Sequence, residues 1–380
     1  MRKRAALAAL IIICAALTGG CWNYRSMNDM TITTGVAVDR DPETGLYHLS
    51  FEYVDLSGPV KEQGIAAGLL ETYGVTMFDA ARNAKKRVTN KVYLGHIELV
   101  VLDEEVARES DIVTTMDFFL RDAECRETVC VAVSQMETAK ELLRLEGVGQ
   151  PMVAYEIHNI IEEDRRVTAS TIYNPVYKIY NIIYSEGIEL TLPAVRSVPN
   201  DGSITCEVNG IAVFKNGRLV GYLSPEESKY FLFVMGEVEG GVITCSASGE
   251  GPEDTALEIH RSNTKRSFRW RDGQLSVQVE VEVVVYLDET AALIDLMEPS
   301  VIQQVEASGA QKLARGIADM IQRVRTEYRS DIFGFGNMIC KQDHKLWEQL
   351  KDNWDEVFVN MPVEITCKVD IVNTAYLKKT

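Results

Sequence analysis

The sequence predicts an α+β protein of more than one domain, built from mixed or antiparallel sheets with packed helices. Three stretches carry that reading. Val277, Val279, Val281, Val283 and Val285 alternate with Ser276, Gln278, Glu280, Glu282 and Val284, the period of a strand with one apolar face. Residues 212–215 and 218–221 flank Asn216-Gly217, the pair that a type I′ hairpin turn favours because both positions need φ > 0. Ile302, Val305, Leu313, Ile317, Met320, Val324 and Tyr328 fall on one stripe of a helix over 300–329.

The elements follow in order. Residues 31–39 read as a buried strand and 46–56 as its hairpin partner, joined through Asp41-Pro42-Glu43-Thr44-Gly45. Residues 76–88 have helical spacing, with Phe78, Ala81, Ala84 and Val88 on one stripe. Strands are expected at 93–102 and 128–133, and helices at 112–120, 138–145, 152–162 and 174–184. A domain boundary is expected near Pro199-Asn200-Asp201-Gly202-Ser203. It separates an N-terminal α+β region, 21–199, from a C-terminal region, 205–380. The latter opens with a hairpin at 210–223. Ser224-Pro225-Glu226-Glu227 then starts a helix, with a capping serine, proline at the first helical position and a glutamate completing a capping box. From 356 to 372 apolar residues alternate again, which predicts a long final strand interrupted at Pro362. The simplest assembly of the last third is an antiparallel sheet on one long helix.

The N-terminus has a different character. Arg2, Lys3 and Arg4 precede an apolar run of 13 residues, Ala5 to Leu17, followed by Gly19-Gly20-Cys21-Trp22. This is the order of a secretory signal peptide, 1–20. The run is too short to span a bilayer, which takes roughly 20 helical residues. A cysteine at the first mature position suits bacterial lipoprotein processing, so Cys21 is the expected lipidation site, as N-palmitoyl and S-diacylglycerol cysteine. Thr18 stands where a lipobox usually has leucine. Two acyl chains hold a protein on a membrane where one is marginal.

The chain has 39 basic and 56 acidic residues. Without Arg2, Lys3 and Arg4 the balance is 36 against 56, or −20. Such a surface repels nucleic acid and anionic headgroups, so the anchor, not polybasic docking, is expected to supply the membrane affinity. Six cysteines remain beyond Cys14 and Cys21. Their spacing fits no zinc site, and Cys206 with Cys245 is the pair worth checking for a disulfide.

Catalytic motifs are missing from the sequence. The five histidines are scattered, and no H-E-x-x-H, G-x-S-x-G, P-loop or G-x-G-x-x-G occurs. Asp117, Asp122 and Glu124 interleave with Arg121 and Arg126, which reads as ion pairing. Gly334-Phe335-Gly336 follows a helix and reads as a turn. His96, after Gly95, reads as a structural histidine. No enzyme, metal or cofactor is expected. The long helix's other face, with Gln304, Gln311, Arg315, Arg325 and Arg329, is more basic than the chain and could meet a partner.

Several segments together resemble the Ger(x)C, or GerAC, family of spore germination lipoproteins. They are Cys21-Trp22-Asn23-Tyr24-Arg25-Ser26-Met27-Asn28-Asp29, Gly95-His96, the segment 117–126 with Asp117, Leu120, Arg121 and Asp122, the segment 210–221 with Phe214 and Gly221, and Asp331-Ile332-Phe333-Gly334-Phe335-Gly336 with Trp347 downstream. Ala123 and Cys125 depart from the usual pattern. The resemblance implies the C subunit of a nutrient germinant receptor. Such subunits are lipid-anchored on the outer face of the inner spore membrane, beside integral-membrane A and B subunits, and have three α/β modules. Two rival classes stay in view: an extracytoplasmic solute-binding lipoprotein that captures the nutrient itself, which would favour two βαβ-rich lobes, and a surface hydrolase.

Overall fold

The structure is a computed structural model and describes Arg4 and residues 29–55, 66–249 and 251–373. The signal segment, Cys21 and Trp22 lie outside the described residues.

The first sheet grows from the hairpin of β1 (Met30–Arg40) and β2 (Tyr47–Asp55). Its turn is held by Asp41, whose Oδ1 accepts from the Glu43 and Thr44 amides. β3 (Ala66–Gly74) pairs antiparallel with β2 at the edge. β4 (Lys91–Tyr93) and β5 (Leu99–Leu102) run parallel to β1, and β6 (Cys130–Ser134) runs parallel to β5. β7 (Thr191–Asn200), β8 (Ser203–Lys215) and β9 (Arg218–Leu223) complete nine strands in the order β3-β2-β1-β5-β6-β7-β8-β9, with β4 beside β1. β5 and β6 are buried along their whole length, as expected of parallel strands covered on both faces.

The intervening helices are α1 (Met77–Asn83), α2 (Glu104–Glu109), α3 (Ile112–Arg121), α4 (Ala139–Leu142), α5 (Val153–Val167) and α6 (Val176–Ile183). Core residues of α1, α2, α3 and α6 pack on one face of the sheet, around Val36, Val38, Phe51, Val100 and Phe214. Those of α4 and α5 pack on the other, around Ala37, Leu99, Val101 and Ala132.

α7 (Pro225–Met235) follows, and Ser224 and Glu227 form the expected capping box. The second sheet has the order β10 (Val242–Cys245), β11 (Thr255–Arg271), β12 (Gln274–Thr290), β13 (Val363–Asn373). α8 (Pro299–Arg323), extended by a π turn over Val324–Tyr328, lies on it. α9 (Phe335–Gln342), α10 (His344–Leu350) and α11 (Trp354–Asn360) lead into β13. The alternating valines of β12 and the α8 stripe share one core. Asn216 and Gly217 sit at φ 49° and 76°, as a type I′ turn requires.

The α+β class holds, and several details differ from expectation. The strand over 93–102 is two pieces, because residues 94–97 turn, with the Ile97 amide bonded to the Leu94 carbonyl. Over 77–84 the buried residues are Met77, Ala80 and Ala84, and Phe78 is 52% exposed. The final strand begins at Val363: residues 354–360 are helical, because Trp354 and Phe358, four apart, turn into the core. Their valine alternation imitates a strand. β13 runs parallel to β12, since the helical connection returns the chain to the end where β12 began. Residues 199–203, where the boundary is expected, form the tip of the β7–β8 hairpin, with Asp201 and Gly202 at positive φ. Among the described residues no disulfide forms, and Cys206 and Cys245 sit in separate cores.

Two buried carboxylates fix helices to the first sheet. Glu52, on β2, accepts from the Val153 and Ala154 amides at the start of α5, and from Thr34 Oγ1. Asp39, on β1, accepts from the Ala139 and Lys140 amides of α4. Each satisfies helix-start amides that have no intrahelical partner. Burial raises both carboxyls, Asp39 to about 6. Glu52→Ala leaves the α5 amides buried without an acceptor. We expect it to cost about 1–3 kcal/mol, read as a lower urea midpoint with an unchanged slope.

Candidate interaction cleft and the buried signature turn

The segment 117–126 sits on and after α3, whose start is capped by Asp111. Ile112, Met116 and Phe119 turn inward. Asp117 and Arg121 turn outward and pair at 2.7 Å. Asp122 ends the helix, and its Oδ1 accepts the Glu124 amide. Glu124 pairs with Lys91 of β4. Arg126 pairs with Glu98 at 3.3 Å and approaches His96 Nδ1 at 3.5 Å. The fold thus brings Gly95-His96 beside the 122–126 loop. Gly95 lies against the Tyr93 ring, where a Cβ would fall 2.5 Å from the hydroxyl.

A cleft of about 780 Å³ opens between α1 and α3, lined among others by Tyr47, Phe78, Arg82, Asp117, Phe118 and Asp122. Phe78 and Phe118 meet edge to face at 6.3 Å. On the other flank of α3 a hollow of about 520 Å³ is lined by Phe119, Leu120, Cys125, Tyr177 and Tyr180. Tyr177, Tyr180 and Tyr184 of α6 and its end are all exposed. α3 is therefore a charged ridge between two aromatic-walled depressions, a form suited to binding. The carboxylates are held in ion pairs and main-chain hydrogen bonds, as the interleaved charges suggested. Burial pushes the Cys125 thiol up to about 12, away from nucleophilic reactivity. Among the described residues no His, Cys, Asp and Glu group is placed to hold a metal ion, and no helix is long and apolar enough to cross a membrane.

The remaining signature residues gather elsewhere. Asp331 is buried; its Oδ1 accepts the Phe335 amide at 3.1 Å, and its Oδ2 accepts the Gly336 amide at 2.8 Å and Trp354 Nε1 at 3.2 Å. Burial raises its carboxyl to about 6, against the pull of these donors. Gly334 takes φ 65°, and Gly336 lies so close to Gly187 that a Cβ would fall 2.9 Å from the Gly187 Cα. Phe333 and Phe335 stack at 5.2 Å, with Phe358 beside them. Ser330 Oγ donates to the Phe214 carbonyl of β8, and the Tyr328 ring lies over Gly221 of β9, where a Cβ would come within 2.4 Å. Phe214, Gly221, Asp331, Phe333, Gly334 and Gly336 thus form one packed joint with no open site.

The basic face expected on the long helix is partly absorbed. Arg325 donates to the Phe358 and Val359 carbonyls, Arg329 pairs with Glu356, and Gln304 donates to the Ser248 carbonyl, while Arg315 stays exposed. Sequence reasoning missed Glu52 and Asp39. The available signal was an acid at an inward position of an otherwise apolar strand.

Comparison with known proteins matches both halves of the chain. A family model described as a spore germination protein N-terminal domain matches residues 23–197, and one described as spore germination B3/GerAC like, C-terminal, matches residues 209–375. Spore germination protein KC of Bacillus subtilis (strain 168) is 22% identical over 400 residues, spanning 98% of this chain and 97% of its own. Spore germination protein B3 of the same organism is 23% identical over 369 residues, spanning 93% and 94%. A crystal structure of the GerBC protein superposes with a TM-score of 0.57 at 20% identity, covering 89% of this chain and 97% of that one.

The raised Asp331 carboxyl gives stability a definite pH dependence. Folded Asp331 keeps its proton to about pH 6, whereas unfolded aspartate loses it near 3.9. Its contribution is therefore full below about pH 4 and is lost as pH rises through 6. Wild-type unfolding midpoints should fall from pH 4.5 to 6.5, and Asp331→Asn should flatten that slope while lowering stability throughout.

Proposed function

Given that the chain belongs to the GerAC family of spore germination proteins, we propose that it is the lipid-anchored C subunit of a nutrient germinant receptor. It works without catalysis, through contacts with integral-membrane A and B subunits, from the outer face of the inner spore membrane. The observation that carries this reading is the match of both family models, with relatives named as spore germination proteins aligned over nearly their full length. The charged head, short apolar run and Cys21 support export and lipidation. The hollow between α3 and α6, walled by Phe119, Tyr177 and Tyr180, offers a surface for partner subunits. To relay nutrient binding, such a subunit must bind its partners differently in the resting and triggered receptor.

The solute-binding alternative asks for two lobes around a cleft. A single nine-stranded sheet covered on both faces gives it little support.

Deleting the gene should abolish the response to one nutrient class and leave nutrient-independent germination intact. A normal nutrient response in the deletion strain would refute the receptor role. For the anchor, [³H]palmitate should label the wild-type protein, and Cys21→Ser should lose that label; equal labelling would place the lipid elsewhere.

A further inference from the structure

The chain is acidic overall, yet the fold gathers unpaired cations at one end. Between Ala80 and Lys91 the sequence holds Arg82, Lys85, Lys86 and Arg87 and no acid. All four are exposed, and among the described residues none pairs with a carboxylate. Lys85 and Arg87 donate to the Thr89 and Glu71 carbonyls, and Arg82 lies 4.8 Å over the Phe78 ring. Next to them Val75 and Phe78 are 74% and 52% exposed. The nearby acids are engaged: Asp79 accepts the Val75 amide, Asp117 pairs with Arg121, Asp122 accepts the Glu124 amide, and Glu124 pairs with Lys91. Glu71 is held by His48, Lys140 and Arg144.

This basic turn lies where the chain enters the fold. Lys91, four residues beyond Arg87, is the β4 partner of Met30, the first residue of β1. Cys21 is nine residues before Met30, so the connecting segment reaches at most about 30 Å. A protein tethered at Cys21 therefore keeps Met30, with Lys91 paired beside it, within about 30 Å of the bilayer. Exposed cations flanking an exposed aromatic are the composition of a surface that seats on anionic lipid.

We propose that the end formed by Phe78, Arg82, Lys85, Lys86 and Arg87 docks on an anionic bilayer surface and orients the tethered protein. The proposal rests on the anchor reading for its geometry, while the docking itself needs no lipid on Cys21. Each cation near an anionic surface strengthens binding about fivefold. The tether raises the effective concentration of the surface, so weak intrinsic docking suffices to set orientation.

The test uses the processed chain from Cys21 onward with Cys21→Ser, which carries no acyl group. Its binding is measured by sedimentation with vesicles of 30% phosphatidylglycerol in phosphatidylcholine and with pure phosphatidylcholine. Docking predicts binding to the anionic vesicles only, lost when salt rises from 50 to 500 mM. Lys85→Ala with Lys86→Ala should weaken it about 20- to 30-fold at an unchanged melting temperature. Absent binding, equal binding to both vesicles, or an unaffected lysine variant would overturn the proposal. In native membranes, a photocrosslinker at position 78 should yield lipid adducts; a protein adduct alone would reassign this face to a partner subunit. Because the Cys21→Ser chain of the vesicle assay carries no lipid, failed palmitate labelling of the wild type with intact vesicle binding removes only the anchor. Intact labelling without vesicle binding removes only the docking.

Discussion

The arrangement of this molecule depends on one buried carboxylate that closes the turn 331–336. A desolvated aspartate is unfavourable unless donors surround it, and Asp331 has two amides and an indole N–H within 3.2 Å. The turn it closes is where separate parts of the fold meet. The Glu189 amide bonds to the Asp331 carbonyl, and the Asn337 amide bonds to the Gly187 carbonyl. Ser330 reaches β8, and Arg266 of β11 donates to the Phe333 carbonyl at 2.7 Å. The first sheet, the second sheet and the three short helices before β13 are all fastened there. Phe333, Phe335, Phe358 and Trp354 fill the space around the polar centre, so the turn is fixed by packing as well as by hydrogen bonds.

The first sheet uses the same device twice. Glu52 and Asp39 project from strands and end at helix starts, joining sheet to helix by charge-assisted bonds in a place water does not reach. A few of the acids that composition counts as surface charge are thus part of the framework. The exposed remainder is unevenly spread, which explains how an acidic chain still carries four unpaired cations on a single turn.

Local signals made much of this legible. The type I′ turn at Asn216-Gly217, the capping box at Ser224 and the β12 valines each depend on neighbours in sequence, and each is found as read. Sequence and structure part where a long-range contact decides the outcome. Residues 354–360 alternate like a strand, but Trp354 is drawn to Asp331 and the segment coils. Spacing alone puts Phe78 inward, whereas Met77 and Ala80 fill the core and leave its ring outside. Within the site, the ion pairs around α3 could be anticipated from interleaved charges. The joining of Phe214 and Gly221 to residues 331–336 could not, because more than a hundred residues separate them.

The two groups of signature residues differ in what they leave for function. Those around Asp331 are consumed by packing: Gly336 touches Gly187, Gly221 touches Tyr328, and nothing there is open to a ligand. Those on α3 leave Asp117, Phe118 and Arg121 along open depressions. A rigid joint and an open ridge are complementary parts for a subunit that works by contact, because a load applied at the ridge reaches the second sheet only through a connection that does not yield. α3 packs on the sheet that contains β8 and β9, and these strands carry the contacts to Ser330 and Tyr328. One physical path from the ridge to the second sheet therefore runs through the joint that Asp331 holds closed, beside the core that β8 and β9 share with β11 and β12.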